Sequence, residues 1–193
     1  MTGDRSRRAS VVALAGRRID APGTQPPRFP LGNVPLVRRR LAHLFVEEMT
    51  EALVCSAACG ADLIALEEAE RLGLRRRIVL PFPPERFRDT SVIDRPGDWA
   101  PLFDRLVAAA AACGDLVVLA DIGGDDDAAY AAANDAIVRE AMALGHGTDE
   151  EGVRRLLAVV VWEGKARQGS DATGGLRNIA TRAGFSERSV LTR

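Results

Sequence analysis

The chain has 193 residues, 47% of them hydrophobic and 27% charged, and a formal net charge of −1. That length and apolar share fit one domain with a substantial core and exclude a disordered chain. The balanced charge gives no global basic field for nucleic acid, and no apolar run reaches membrane-spanning length, so a cytoplasmic protein is expected.

Residues 1–9 are basic and polar and read as a flexible start, leaving residues 10–193 as a single domain. Ser10–Gly16 is a β-branched run closed by glycine, which predicts a buried strand. Arg17–Gly32 holds four prolines and no helical period, so it is a long loop of the kind that often carries function. Val37, Leu41, Leu44, Phe45 and Met49 recur at helical spacing and predict a helix over 34–52. A second strand follows at 53–56, then a helix at 61–72 stopped by Gly73. Arg77–Phe82 is a third strand ended by prolines, and 85–96 a loop with one helical turn at 85–87. Residues 98–113 are helical, with Asp98 as the expected cap. A fourth strand at 115–120, an Ala-rich helix at 125–144, a fifth strand at 156–162 and a helix at 172–183 complete the alternation. Ser189–Thr192 is left as a short edge strand.

Apolar strands alternating with amphipathic helices imply an α/β domain of three-layer, Rossmann-like, doubly wound type, with a mainly parallel sheet of five or six strands. Ligands of such sheets bind beyond the carboxyl ends of the strands, at the switch point. The chemically interesting segments fall on that edge: 16–20, 56–62, 81–95, 121–130 and 162–175.

Several motifs on that edge carry a resemblance. They are Gly16-Arg17-Arg18 with the Pro-rich run after it, Ser56 to Asp62 ending in Gly-Ala-Asp, and Leu80-Pro81-Phe82. Phe87 to Val92 with Asp94-Arg95-Pro96, Trp162-Glu163-Gly164 and Thr173-Gly174-Gly175 complete the set. Over about residues 10–185 the chain resembles the Rossmann-like superfamily of DprA and the lysine decarboxylase-like, cytokinin-activating phosphoribohydrolases. It resembles most a bacterial branch found alone or beside signalling domains. The resemblance implies a nucleotide-like ligand and a homodimer packed through helices, for which Ala133, Ala136 and Ala141 would allow close approach. Two departures stand out. Arg17 occupies the place of a histidine, and the glutamate expected after the Gly-Gly pair is missing, since Leu176-Arg177-Asn178 follows. Both weigh against phosphoribohydrolase activity.

Each candidate residue has two readings. Ser56, Ala57 and Gly60 either cradle a phosphate through backbone amides or form a close-packed turn. Asp62 either binds a ribose hydroxyl or complements the helix dipole. Arg18 either clamps an anion or pairs with Asp20 or Asp62. Arg88 and Arg95, with Pro81 before them, either face a ligand or belong to a surface loop. Tyr130 and Asn134 lie one helical turn apart and either stack on a base and read its edge or belong to the core. Trp162 is a core cap or a stacking platform, and Glu163 is the acid/base candidate left beside Asp62.

Asp121 and Asp125–Asp127 are a solvated helix start, or carboxylates holding Mg²⁺ as a companion to phosphate. Cys55 and Cys59 lack a second ligand pair, so no metal site is expected, and Cys59 reads as a small loop residue rather than a nucleophile. Together these residues point to binding of a nucleotide or nucleotide-derived, phosphorylated ligand in signalling or sensing. The alternatives are a hydrolase cleaving an N-glycosidic or phosphoester bond, and an interaction module with an empty cleft.

Overall fold

The β-branched runs form six strands: β1 (Ser10–Gly16), β2 (Thr50–Cys55), β3 (Arg75–Leu80), β4 (Leu116–Val118), β5 (Arg155–Trp162) and β6 (Ser186–Leu191). The structure is a computed structural model that describes residues 8–120, 126–146, 154–167, 169 and 171–193. All pairings are parallel, in the order β4-β3-β2-β1-β5-β6. The helices are α1 (Val34–Glu47), α2 (Ala61–Arg71), α3 (Pro84–Ser91), α4 (Ala100–Ala112), α5 (Asp126–Gly145) and α6 (Ala172–Arg182).

Side-chain alternation along the strands divides the core into two layers. Val12, Leu14, Leu53, Cys55, Ile78 and Leu80 bury against α1, α2, α3 and α4. Val11, Ala13, Ala52, Val54 and Val79 bury on the opposite face, against α5 and α6. The expected three-layer, doubly wound α/β class is therefore what the chain adopts. The chain steps outward from β1 to β4, and α5 then carries it back across the other face to β5, beside β1. The topological switch point lies between β1 and β5.

Several boundaries differ from expectation. The first helix ends at Glu47 rather than running to 52, and Met49 turns the chain with φ of 48°. Ser10 then donates its amide to the Met49 carbonyl and β2 pairs with β1, so sheet pairing overrides the helical spacing of Met49. The strand β3 starts at Arg75, because Arg75 and Arg77 both bind the Asp115 carboxylate just before β4. Residues 84–91 form a full helix rather than one turn. Trp99, not Asp98, precedes α4, and no side chain caps it. The last strand is longer than expected and fully paired with β5. The alanines expected at a dimer seam are used inside the monomer: Ala133, Ala136 and Ala141 are at most 3% exposed in the core under α5. Residues 1–7 and the acidic positions Asp121 and Asp125 lie outside the described residues. No helix among the described residues is long and apolar enough to cross a membrane.

Candidate functional site

A cavity of about 500 Å³ opens at the switch point, a volume suited to a small-molecule ligand. Its floor is the end of β1. The Arg17 amide donates to Val161 on β5, and Ala61 at the start of α2 donates to the Arg17 carbonyl. Arg18 continues as an isolated antiparallel bridge to Gly60. Beyond it the Pro-rich loop is a closed unit. The Asp20 carboxylate accepts the Arg28 and Phe29 amides at 2.8 and 2.9 Å, and Phe29 is fully buried. Arg28 is thereby set on the cavity wall.

Arg17 lies beneath this wall, 5% exposed. Its Nε donates to Glu163 at 2.7 Å, its Nη1 to Asp171 at 2.5 Å and its Nη2 to the Lys165 carbonyl. Asp171 also accepts the Arg167 amide at 2.7 Å. Burial would raise the Asp171 pKa, but the Arg167 amide, the Arg17 guanidinium and the Gly174 amide outweigh it and hold the carboxylate below its usual range. Arg17 is thus neutralised within the fold. Arg28 and Arg167 are not: among the described residues neither guanidinium makes a hydrogen bond or ion pair, although both line the cavity. Desolvation, and then the like charges of Arg28 and Arg17, lower the Arg167 pKa. An anion at this end would relieve that repulsion.

The cavity is also lined by Asp62, in the first turn of α2 and 6% exposed. Its Oδ2 accepts the Ala58 amide at 3.3 Å, while Oδ1 has no hydrogen-bond partner among the described residues. Burial raises its pKa from 3.8 to about 7, against the opposing pull of the Ala58 and Gly16 amides and Arg18. Arg18 donates to both Asp94 oxygens at 2.9 Å and to the Thr90 carbonyl, and Arg95 meets the same Asp94 at 3.2 Å. The side wall holds Ser91 and Tyr130, whose hydroxyls are 2.7 Å apart.

Of the residues expected from the sequence, Gly16, Arg17, Arg18, Asp62, Arg95, Tyr130, Asn134 and Thr173 line this one cavity. Several carry roles other than those expected. Arg18 pairs with Asp94, not with Asp20 or Asp62. The Asn134 amide donates to the Ala172 carbonyl at 2.8 Å and ties α5 to α6, rather than facing a base edge. Tyr130 packs edge-on against Phe82, with ring centroids 5.7 Å apart.

Other expected site residues stand outside the lining. Gly60 has φ of +99°, and a Cβ there would meet Arg17 O and Ile19 N at 2.9 Å. Its smallness serves the fold, not the approach of a ligand. Gly174 and Gly175 are helical rather than a turn, and leave room for the side chains of Asp171 and Asn134. Arg88 pairs with Asp104 on α4. Trp162 is buried, with Arg177 5.4 Å from its ring. Glu163 is held by Arg17. Ala57 and Pro81 are buried, and Ser56 is half-buried. The Cys59 thiol is buried, and burial pushes it up to about 11, which leaves it unreactive. No group of three or more metal-binding side chains occurs among the described residues.

Sequence reasoning missed Arg28, Arg167 and Asp171 as site residues. With 25 arginines against one lysine, the abundance of Arg hid the few that matter. The signal available was their place in the two long loops after β1 and β5.

No family model matches the chain, and no curated protein matches it significantly. Among solved structures, it is similar to the X-ray structure of DNA processing protein A (DprA) from Streptococcus pneumoniae. The identity is 14% and the TM-score 0.41, over 97% of this chain and 60% of that one. The chain thus spans 60% of the DprA structure, and its fold class stands on its own strand order and helix layers.

Proposed function

We propose that this protein binds a nucleotide or nucleotide-derived, phosphorylated ligand at the carboxyl edge of its sheet, in a sensing or signalling role. One observation carries the reading. One cavity is lined both by two arginines whose guanidinium groups have no carboxylate partner among the described residues, Arg28 and Arg167, and by the buried carboxyl of Asp62. The arginines suit a phosphate, since guanidinium forks match its oxygens. The Ser91–Tyr130 pair on the same cavity wall offers an aromatic edge and a polar handle to a base. Arg17 keeps its charge for the loop that carries Asp171, and so shapes the site without meeting the anion.

Thermal shift and calorimetry against AMP, GMP, CMP, UMP and inorganic phosphate test the reading. At least one monophosphate should stabilise the protein, and Arg28→Ala with Arg167→Ala should abolish the effect. A flat response across the panel refutes it.

A hydrolytic reading has one observation in its favour. A carboxyl near 7 lies in the range of a general acid. The other candidate, Glu163, is bound to Arg17 and outside the cavity. Chromatography of each nucleotide after incubation should return it intact. Release of free base that Asp62→Asn abolishes would make the site an enzyme's.

A further inference from the structure

We propose that Asp171 is a positioning residue of the anion site: a carboxylate in the cavity wall that strengthens the binding of a phosphate, because it holds the backbone of Arg167 in place. The inference rests on the nucleotide reading above and adds the residue on which affinity for the phosphate depends.

Arg167 lies between the end of β5 and the start of α6, outside any helix or strand, so no ladder of backbone hydrogen bonds fixes it. A side chain holds it instead. Asp171 divides its two oxygens: Oδ2 accepts the Arg167 amide at 2.7 Å and Oδ1 accepts Arg17 Nη1 at 2.5 Å. Arg17 is itself anchored, 5% exposed at the end of β1, where its amide donates to Val161. Its Nη2 also donates to the Lys165 carbonyl at 2.8 Å, two residues before Arg167. A line of hydrogen bonds thus runs from the sheet through Arg17 and Asp171 to the backbone of Arg167. The Asn134 side chain braces the same corner, donating to the carbonyl of Ala172, the next residue, at 2.8 Å.

Charge alone predicts the opposite role. Asp171 and Glu163 both act on Arg167 as nearby negative charges, and a carboxylate in the wall of an anion site repels the anion. Two considerations decide which effect wins. The Asp171 charge is already matched by the Arg17 guanidinium, so an anion in the cavity meets the weaker field of a pair. Without Asp171, the Arg167 backbone would have to be ordered at the moment of binding. For one residue that lowers affinity about 5- to 30-fold. The screened repulsion is the smaller of the two, so the acid is a net gain for the anion.

Calorimetry with inorganic phosphate, and with whichever of AMP, GMP, CMP and UMP binds tightest, tests this on three variants. Asp171→Asn keeps the size of the side chain and a good cap for the start of α6, but its one carbonyl oxygen cannot serve both Arg17 and the Arg167 amide. It should bind both probes about 5- to 30-fold more weakly than the native protein, where charge alone would make binding tighter. Glu163→Gln removes a carboxylate from the same guanidinium without touching the Arg167 amide, and should bind within about threefold of the native protein or tighter. Arg17→Lys keeps the positive charge but lacks the fork that reaches Asp171 and the Lys165 carbonyl together. It should weaken binding as Asp171→Asn does, and it decides alone should Asp171→Asn not fold. The buried Cys55 and Cys59 thiols should stay protected from a disulfide-exchange reagent in every variant scored, so that weaker binding is not read from an unfolded chain. Binding by Asp171→Asn as tight as native, or tighter, overturns the inference while the nucleotide reading stands, and so does equal weakening by Glu163→Gln. A native protein that binds none of the four monophosphates, nor phosphate, overturns both.

Discussion

Replacing Asp62 by Asn should make the protein more stable, and more so at higher pH. The Asn side-chain oxygen can still accept the Ala58 amide, while the buried charge is lost. Burial raises the folded-state pKa of Asp62 from 3.8 to about 7. Between those values the unfolded chain ionises and the folded one does not, so the folded state holds the extra proton and stability falls as pH rises. The loss begins near the unfolded pKa and is complete above the folded one. At about 1.4 kcal/mol per pH unit it reaches about 4 kcal/mol at pH 8, and roughly half of that or less at pH 5. Because Asp62 is 94% buried by its 6% exposure, solvent screening does not discount the figure heavily. Urea denaturation of native protein and Asp62→Asn at pH 5 and pH 8 reads the difference directly. The variant's advantage should grow by about 3 kcal/mol between the two, which is roughly 6–12 °C in Tm for a domain of this size. An advantage that does not change with pH would show that Asp62 is ionised in the fold at both values, and would refute the electrostatic reasoning. A site that lowers stability in the free protein is what ligand binding is expected to relieve.

Arg17→Met should be strongly destabilising, by about 3–5 kcal/mol, because it strands Glu163 and Asp171, 10% and 8% exposed, without their cation; thermal unfolding reads it, and a change under 1 kcal/mol would contradict the ion-pair geometry. Gly16→Ala should cost on the order of 3 kcal/mol, because the new Cβ would lie 2.2 Å from Ala61 Cβ with nothing flexible to yield. Arg28→Ala with Arg167→Ala should leave urea unfolding within about 1 kcal/mol of the native protein, since neither guanidinium has a partner to lose among the described residues; a larger drop would make them structural. A disulfide-exchange reagent at pH 8 should titrate Cys113 quickly in the native protein and Cys55 and Cys59 only after unfolding, because the latter two are buried and Cys113 is exposed; rapid reaction of more than one thiol would refute their burial.

The sequence carried the architecture further than the chemistry. Continuous apolar strands such as Val11–Leu14 and Val159–Val161 are visible as composition, and their alternation with helices leaves few topologies open. Boundaries failed where a partner far along the chain decides them. Nothing local stops the first helix at Glu47; the pairing of Thr50–Cys55 with β1 does. Site residues failed for a related reason. Arg17 and Glu163 are visible as charged residues in edge loops, but that they neutralise each other across 146 positions is a fact of the fold. Glycines were misread in the same way. Small residues beside a sheet edge suggest an approaching ligand, and at Gly60 what approaches is the backbone of residues 17–19.

The long loop that carries Arg28 is fastened from the far end of the chain. The Thr192 hydroxyl bonds to the Arg28 carbonyl, the Asn33 side chain donates to the Thr192 carbonyl at 2.9 Å, and the Thr192 amide donates to Trp162. A nascent chain can lay down β1 to β4 early, but this fastening must wait until residue 192 has emerged from the ribosome. Such long-range closure is slow and comes last. The wall that carries Arg28 is therefore set only after residue 192 has been made, and shorter nascent chains would lack that fastening of the cavity.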